Sequence, residues 1–239
     1  MSVLFVSDLH LDAARPAITR TFLDLLAGEA RQAQALYILG DLFEAWVGDD
    51  QAGDPATPVC EALKGLAASG VAVFLMRGNR DFLYGPRIAE RCGATLLPDP
   101  CVVTLYGEPV LLMHGDLLCT DDAPYQAFRR QVRDPAWQAR FLDQPIEARL
   151  AFAAQARAAS REHQGAMAET VGDVVDDEVA ATMARYGVTK LIHGHTHRPR
   201  VHVFPVGERT ATRIVLGDWY EQGSVLRVDP DGFSLSALG

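Results

Sequence analysis

Residues 3–11 read Val3-Leu4-Phe5-Val6-Ser7-Asp8-Leu9-His10-Leu11. Four apolar residues run without a break, then give way to an acid and an imidazole two positions apart. A continuous apolar run this short suits a strand buried on both faces. On extended backbone, residues two apart point the same way, so Asp8 and His10 can face one point. The arrangement recurs. Leu36–Leu39 runs into Gly40-Asp41, and Val71–Met76 into Gly78-Asn79-Arg80-Asp81. Val110–Met113 runs into His114-Gly115-Asp116, and Lys190–Ile192 into His193-Gly194-His195-Thr196-His197. In α/β sheets the carboxyl ends of strands face the site crevice, so these clusters can converge.

Between these strands lie helical patterns, which predict α/β layering. Further strands are expected at Val102–Leu105, Val201–Phe204, Arg213–Leu216 and Ser224–Val228, so the later part reads as successive strands with turns. The stretch of about 121–168 differs. It has no convincing strand and is rich in Ala, Gln and Arg, which favour helix. Pro124, Pro135 and Pro145 divide it into separate helices. Between Tyr125 and Arg161 it carries seven arginines (129, 130, 133, 140, 149, 157 and 161) against three acids (Asp134, Asp143, Glu147). It reads as a locally basic helical insertion or cap over the site, with a solvated helical hairpin as the plainer alternative. The whole, residues 1–239, reads as one domain with that insertion.

Composition narrows the function. The formal net charge is −9, which argues against binding nucleic acid through the whole surface. Cys60, Cys92, Cys101 and Cys119 form no zinc-like spacing and read as buried thiols in a reducing compartment. No signal peptide and no membrane-spanning run are expected, so the chain reads as cytosolic or resting on a membrane surface. No obligate protein partner is evident.

Phosphate hydrolysis needs charge neutralisation on the phosphoryl oxygens and a nucleophile made from water. Two divalent ions about 3.5–4 Å apart supply both. Asp8, His10, Asp41, Asn79, His114, His195 and His197 form a matching N/O donor set, which suits Mn, Fe, Zn or Co better than Mg or Ca alone. A lone D-x-H or H-x-H is weak, and a lone histidine near a strand is more often structural. Five such pieces in order, each at a strand end, are specific.

The ordered set D-L-H, G-D, G-N-R-D, H-G-D and G-H-T-H resembles the calcineurin-like metallophosphoesterase superfamily. That resemblance implies a four-layer α/β/β/α sandwich with the site between two sheets. It also implies that Asp8, His10, Asp41 and His197 hold one ion, and that Asp41, Asn79, His114 and His195 hold the other, with Asp41 bridging. Ser7–Leu11, Gly40–Asp49, Gly78–Gly85 and Ile192–Pro199 are similar to the branch that hydrolyses UDP-2,3-diacylglucosamine. For that branch the resemblance implies Mn2+, products UMP and lipid X (2,3-diacylglucosamine 1-phosphate) in lipid A biosynthesis, and a peripheral place on the cytoplasmic side of the inner membrane. Family substrate contacts map onto Asn79, Arg80, Asp122, Ser160, Gln164 and His195. Gln164 stands where Asn is usual and Met167 where Lys is usual, with Arg157 or Arg161 near enough to compensate.

Many relatives carry His where this chain has Arg80. A phosphate monoester leaves readily and needs charge neutralisation more than a proton, and arginine supplies a bidentate fork. Arg80 therefore fits anhydride cleavage, with water attacking the uridine-linked phosphorus. Its plainer role is a surface ion pair with Asp81. With Arg80, the catalytic set is Asp41, Asn79, His114 and His195. Asp116 either orients His114 or caps its turn. Asp12, Glu44 and Asp49 are candidate loop orienters, His163 and His202 read as structural or exposed, and His193 reads as hydrogen-bonding a ligand or the backbone rather than binding metal. Phe128, Trp137, Phe141, Leu142, Leu150 and Phe152 either line an acyl groove or pack the cap onto the core. The alternatives weighed are another two-metal phosphoesterase, such as a dinucleoside polyphosphate hydrolase, and a scaffold that has lost turnover.

Overall fold

The computed structural model describes residues 2–166, 172–220 and 222–238, without the side chains of Arg161 and 163–166. Two sheets face each other. The first has the order β11-β10-β1-β2-β3-β4, built from β1 (Val3–Val6), β2 (Ala35–Ile38), β3 (Ala72–Met76), β4 (Thr95–Leu97), β10 (Gly223–Asp229) and β11 (Gly232–Leu238). The second has the order β5-β6-β7-β9-β8, built from β5 (Cys101–Leu105), β6 (Glu108–Met113), β7 (Lys190–His193), β8 (Arg200–Val206) and β9 (Arg209–Val215). Strands β1 to β4 are parallel, as are β6, β7 and β9.

The period of two along each strand explains the layers. Val3 and Phe5 join Tyr37, Leu112, Ile192 and Ile214 in a core between the sheets. Leu4 and Val6 point the other way, onto α1 (Pro16–Ala27), α2 (Ala56–Ala68) and α3 (Pro86–Cys92), through Phe22, Leu63 and Ile88. Leu111 and Leu191, on the outer face of the second sheet, meet Val179 and Met183 of α7 (Asp176–Tyr186). Three apolar seams between four layers make the expected α/β/β/α sandwich.

The nine expected strands appear within a few residues of their bounds. Two were missed: β4 is three residues long, and β11 is a mostly exposed edge strand of only seven residues beside the chain end. Residues 123–166 contain α4 (Ala123–Val132), α5 (Pro135–Leu142) and α6 (Ile146–Ala166). Asp122 and Asp134 accept hydrogen bonds from the Tyr125 and Trp137 amides, which caps α4 and α5. Among the described residues no helix is long and apolar enough to cross a membrane.

Candidate metal centre

Asp8 and His10 leave β1, Asp41 leaves β2, and Asn79 and Arg80 leave β3. His114 leaves β6, and His195 and His197 leave β7. Beyond the strands the first two loops keep running side by side. The amides of Asp8, His10 and Leu11 donate to the carbonyls of Gly40, Asp41 and Leu42 at 3.1, 2.9 and 2.9 Å.

One expectation needs correcting. Asp8 and His10 do converge, but not by strand alternation. Their φ values are 55° and 48°, and Asp41, His195 and His197 share this left-handed region at 53°, 70° and 55°. Residues with a Cβ rarely adopt it, at a cost of about 1–3 kcal/mol each. The tight loops also need glycine as a neighbour. A Cβ on Gly78 would overlap the Asp41 carboxylate, and one on Gly194 would overlap Asp8 and the Ser7 hydroxyl.

Single donor atoms of Asp8, His10 and His197 lie within 4.8 Å of one another, and so do those of Asp8, Asp41 and His114. His10 Nε2 is 3.3 Å from His197 Nε2, which is 3.4 Å from Asp8 Oδ1. Asp41 turns Oδ2 toward His10 Nε2 (3.8 Å) and Oδ1 toward His114 Nε2 (3.9 Å). Asn79 Oδ1 faces His114 Nε2 at 2.8 Å and His195 Nδ1 at 2.9 Å. All seven expected ligand residues therefore meet.

The chemistry of this packing asks for cations. His114 Nδ1–H donates to the Leu39 carbonyl at 2.9 Å. A neutral His114 then aims an Nε2 lone pair at the Asn79 oxygen, which repels unless a proton or metal lies between. Burial alone would lower the His114 pKa, but Asp41, Asp8 and Asp116 outweigh it and raise it to about 9. Burial would raise Asp8, but its close approach to His197 and the nearby imidazoles hold it well below the usual carboxylate range. Burial and the charge of His114 push His195 down to about 4, so it is a neutral lone-pair donor at neutral pH. Asp8 Oδ2 accepts from Ser7 Oγ and the His195 amide, while buried Oδ1 has no hydrogen-bond partner. These residues fit a pair of divalent ions held by oxygen and nitrogen.

Asp81 is not a surface partner for Arg80. It is fully buried and accepts from the amides of Gly78, Asp41 and Leu42, tying two ligand loops together. Burial and Asp41 raise it to about 6. Arg80 is half-buried, its amide donates to Asp41 Oδ1 at 2.8 Å, and its Nε is buried with no partner.

Asp116 does something the sequence did not suggest. Its Oδ2 accepts from Tyr125 Oη at 2.6 Å and Arg129 Nε at 2.8 Å, with Arg133 Nη2 at 3.9 Å. It thereby fastens α4 to the end of β6. Tyr125 stacks on His195 at 5.9 Å between centroids, and Arg133 donates to the Gly78 carbonyl at 2.9 Å. Further along, buried Arg149 of α6 donates to Val47 O and both Asp50 oxygens.

Sequence reasoning also missed residues 217–220. Asp218 Oδ2 lies 3.4 Å from His197 Nδ1, and Tyr220 stacks on His10 at 5.2 Å with rings nearly parallel. The signal was present: Gly217-Asp218 follows the apolar run Ile214–Leu216 just as Gly40-Asp41 follows Leu36–Leu39.

Of the lesser candidates, Glu44 Oε2 sits 3.3 Å from His10 Nδ1, Asp49 accepts from amides at the start of α3, and Asp12 accepts from the Ala14 amide. His193 is buried with Nδ1 2.8 Å from the Gly194 carbonyl, and burial pushes it to about 3. His202 is half-buried on β8. Trp137, Phe141 and Phe152 stack together, and Phe82 approaches Trp137 at 6.3 Å, so they pack α5 and α6 onto the core. A hollow of about 160 Å³ remains beside them. Leu142 and Leu150 are exposed, and Phe128 is half-buried. Asp122 caps α4 and Ser160 is half-buried on α6. Arg157 Nη1 lies 3.8 Å from Glu44. The side chains of Arg161, His163 and Gln164, and all of Met167, lie outside the described residues. Cys60, Cys92 and Cys119 are buried and Cys101 half-buried, none within a candidate metal group among the described residues.

Residues 1–199 match the model of the calcineurin-like phosphoesterase family. Over 245 aligned positions the chain is 61% identical to a UDP-2,3-diacylglucosamine hydrolase of Xanthomonas campestris pv. campestris, covering 100% of this chain and 99% of that one. It is 60% identical, at the same coverage, to a UDP-2,3-diacylglucosamine hydrolase of Stenotrophomonas maltophilia. Among solved structures, an archaeal phosphodiesterase covers 100% of both chains with a TM-score of 0.49 at 13% identity.

Proposed function

The chain belongs to the calcineurin-like phosphoesterase family, and from that premise we propose that it hydrolyses the pyrophosphate of UDP-2,3-diacylglucosamine to UMP and lipid X (2,3-diacylglucosamine 1-phosphate) in lipid A biosynthesis. The observation that supports the chemistry is the meeting of Asp8, His10, Asp41, Asn79, His114, His195 and His197 within a coordination sphere. Full-length identity to hydrolases of that name supports the substrate.

In this reading Asp8, His10, Asp41 and His197 would hold one divalent ion, and Asp41, Asn79, His114 and His195 a second. The opposite facing of the two Asp41 oxygens favours a shared role for that carboxylate. When bound, the ions neutralise phosphoryl charge and lower the pKa of water; Mn2+ suits the mixed donor set. Asp81 and the Leu39 carbonyl hold Asp41 and His114 in register, and Asp218 holds His197. Arg80, with its unpartnered Nε turned into the protein, supplies charge to the phosphates in a fork that lysine lacks. Water attacks the uridine-linked phosphorus, and the acylated sugar leaves as its phosphate, which needs no general acid.

Residues 1–239 act as one domain with 121–168 as a cap. Asp122, Ser160 and Gln164 of the cap contact the substrate with Asn79, Arg80 and His195. The locally basic cap suits a protein that works at the cytoplasmic face of the inner membrane, where its lipid substrate lies. Hydrolysis of UDP-2,3-diacylglucosamine in oxygen-18 water with Mn2+ tests the reading. Label is expected in UMP; label in the sugar phosphate would reverse the direction of attack. Preference for diadenosine tetraphosphate over the UDP-sugar would replace the substrate.

A further inference from the structure

A cleft of about 580 Å³ opens between residues 217–220 and 222–224 on one side and the edge strand β11 on the other, lined among others by Pro199, Asp218, Tyr220, Gln222, Ser236 and Ala237. This lies within the about 300–1,000 Å³ of ligand pockets. None of the expected ligand or substrate residues lines it.

Two observations link the cleft to the metal centre. Asp218 and Tyr220, two of its lining residues, are also the residues that touch His197 and His10. Helix α4 of the cap touches the other ligand group, through Tyr125 on His195 and Arg133 on the Gly78 carbonyl. A pyrophosphate laid across the two groups therefore has the cleft beside one end and α4 beside the other.

The lining chooses among the parts of such a substrate. Its open walls set the polar groups of Gly217, Ser224 and Ser236 beside the apolar Pro199, Tyr220 and Leu235, which suits a flat ring with polar edges better than a long acyl chain. Among the described lining residues the one charged side chain is Asp218, already facing His197, so a phosphate finds no cation there. A neutral, flat group rich in donors and acceptors fits. We propose that this cleft receives the uridine of the substrate, with the exposed Gln222 amide reading the uracil edge by offering one donor and one acceptor. The assignment rests on the UDP-sugar reading above.

The test uses the full chain loaded with Mn2+, with UMP and lipid X as product inhibitors. Ala237→Trp, at an exposed position, fills the cleft, and Gln222→Ala removes the proposed contact. Each is expected to raise the UMP inhibition constant and the KM for the UDP-sugar about tenfold, with inhibition by lipid X unchanged within about twofold. UMP inhibition within about twofold of the parent in both variants overturns the subsite, as does a change confined to lipid X. A parent protein that does not turn over the UDP-sugar overturns the underlying reading instead, so the two failures are distinct.

Discussion

Asp116→Ala is the most informative single substitution. The side chain is fully buried, and one of its oxygens receives Tyr125 Oη and Arg129 Nε. Alanine would leave a tyrosine hydroxyl without its acceptor and a guanidinium, 14% exposed, without its main partner. Breaking a buried pair from one side costs about 3–5 kcal/mol. Asp99 remains 3.8 Å from Arg129 Nη2, which places the cost near the lower end, about 3 kcal/mol. For a chain of this size that is a Tm loss of roughly 6–12 °C. Burial raises the Asp116 pKa, but His114, Arg129, His195 and Arg133 more than offset this and hold it below the usual range. A carboxylate with a depressed folded pKa stabilises above its unfolded value, about 4, and loses that contribution as pH falls toward the folded value. The gap between parent and variant should therefore be full at pH 7 and shrink below about pH 4. Thermal unfolding followed by circular dichroism across that range, with Arg129→Met and the double mutant, reads all of this. The double mutant should be more stable than Asp116→Ala alone, since it removes the stranded charge. A Tm within about 2 °C of the parent at pH 7, or a double mutant no better than the single, would refute the reasoning.

Three further outcomes are expected. Chelation should abolish turnover and Mn2+ restore it; free ion at about a hundred times its Kd should add about 2.7 kcal/mol, and turnover that persists after exhaustive chelation would count against the metal reading. Asp218→Asn should weaken Mn2+ affinity by about 10–100-fold in titrations, because His197 loses its orienting carboxylate, and unchanged affinity would remove Asp218 from that role. Arg80→Lys should lower kcat by about 10–100-fold while leaving Tm within about 2 °C, and near-normal turnover would move Arg80 out of the phosphate site.

Much of this was legible because buried parallel strands are short apolar runs, and their ends are where ligand-type residues stood out. The places of Asp8 just beyond Val6, and of His195 just beyond β7, were legible for that reason. Backbone conformation at those ends was not legible, since nothing in D-L-H announces two left-handed residues in place of an extended pair. Strand β11 was missed because its alternation, Phe233-Ser234-Leu235-Ser236, is short and lies on a mostly exposed edge with no ligand-type residue at its end. Asp116 and Asp81 were misjudged because their partners are set by tertiary contacts, with α4 in one case and with amides of the loop after β2 in the other. The large apolar residues of α5 and α6 looked alike in sequence, and only packing separated Phe141, in the core, from exposed Leu142 beside it.

The seam between the sheets runs through the donor set. Asp8, His10, Asp41 and Asn79 hang from one sheet, and His114, His195 and His197 from the other. Any cation seated there is a rivet as well as a reagent, since each would join oxygens and nitrogens from both slabs. Slippage of one slab past the other by a fraction of a strand spacing would pull both coordination shells apart at once, so rigidity of the sandwich and readiness for chemistry are a single property.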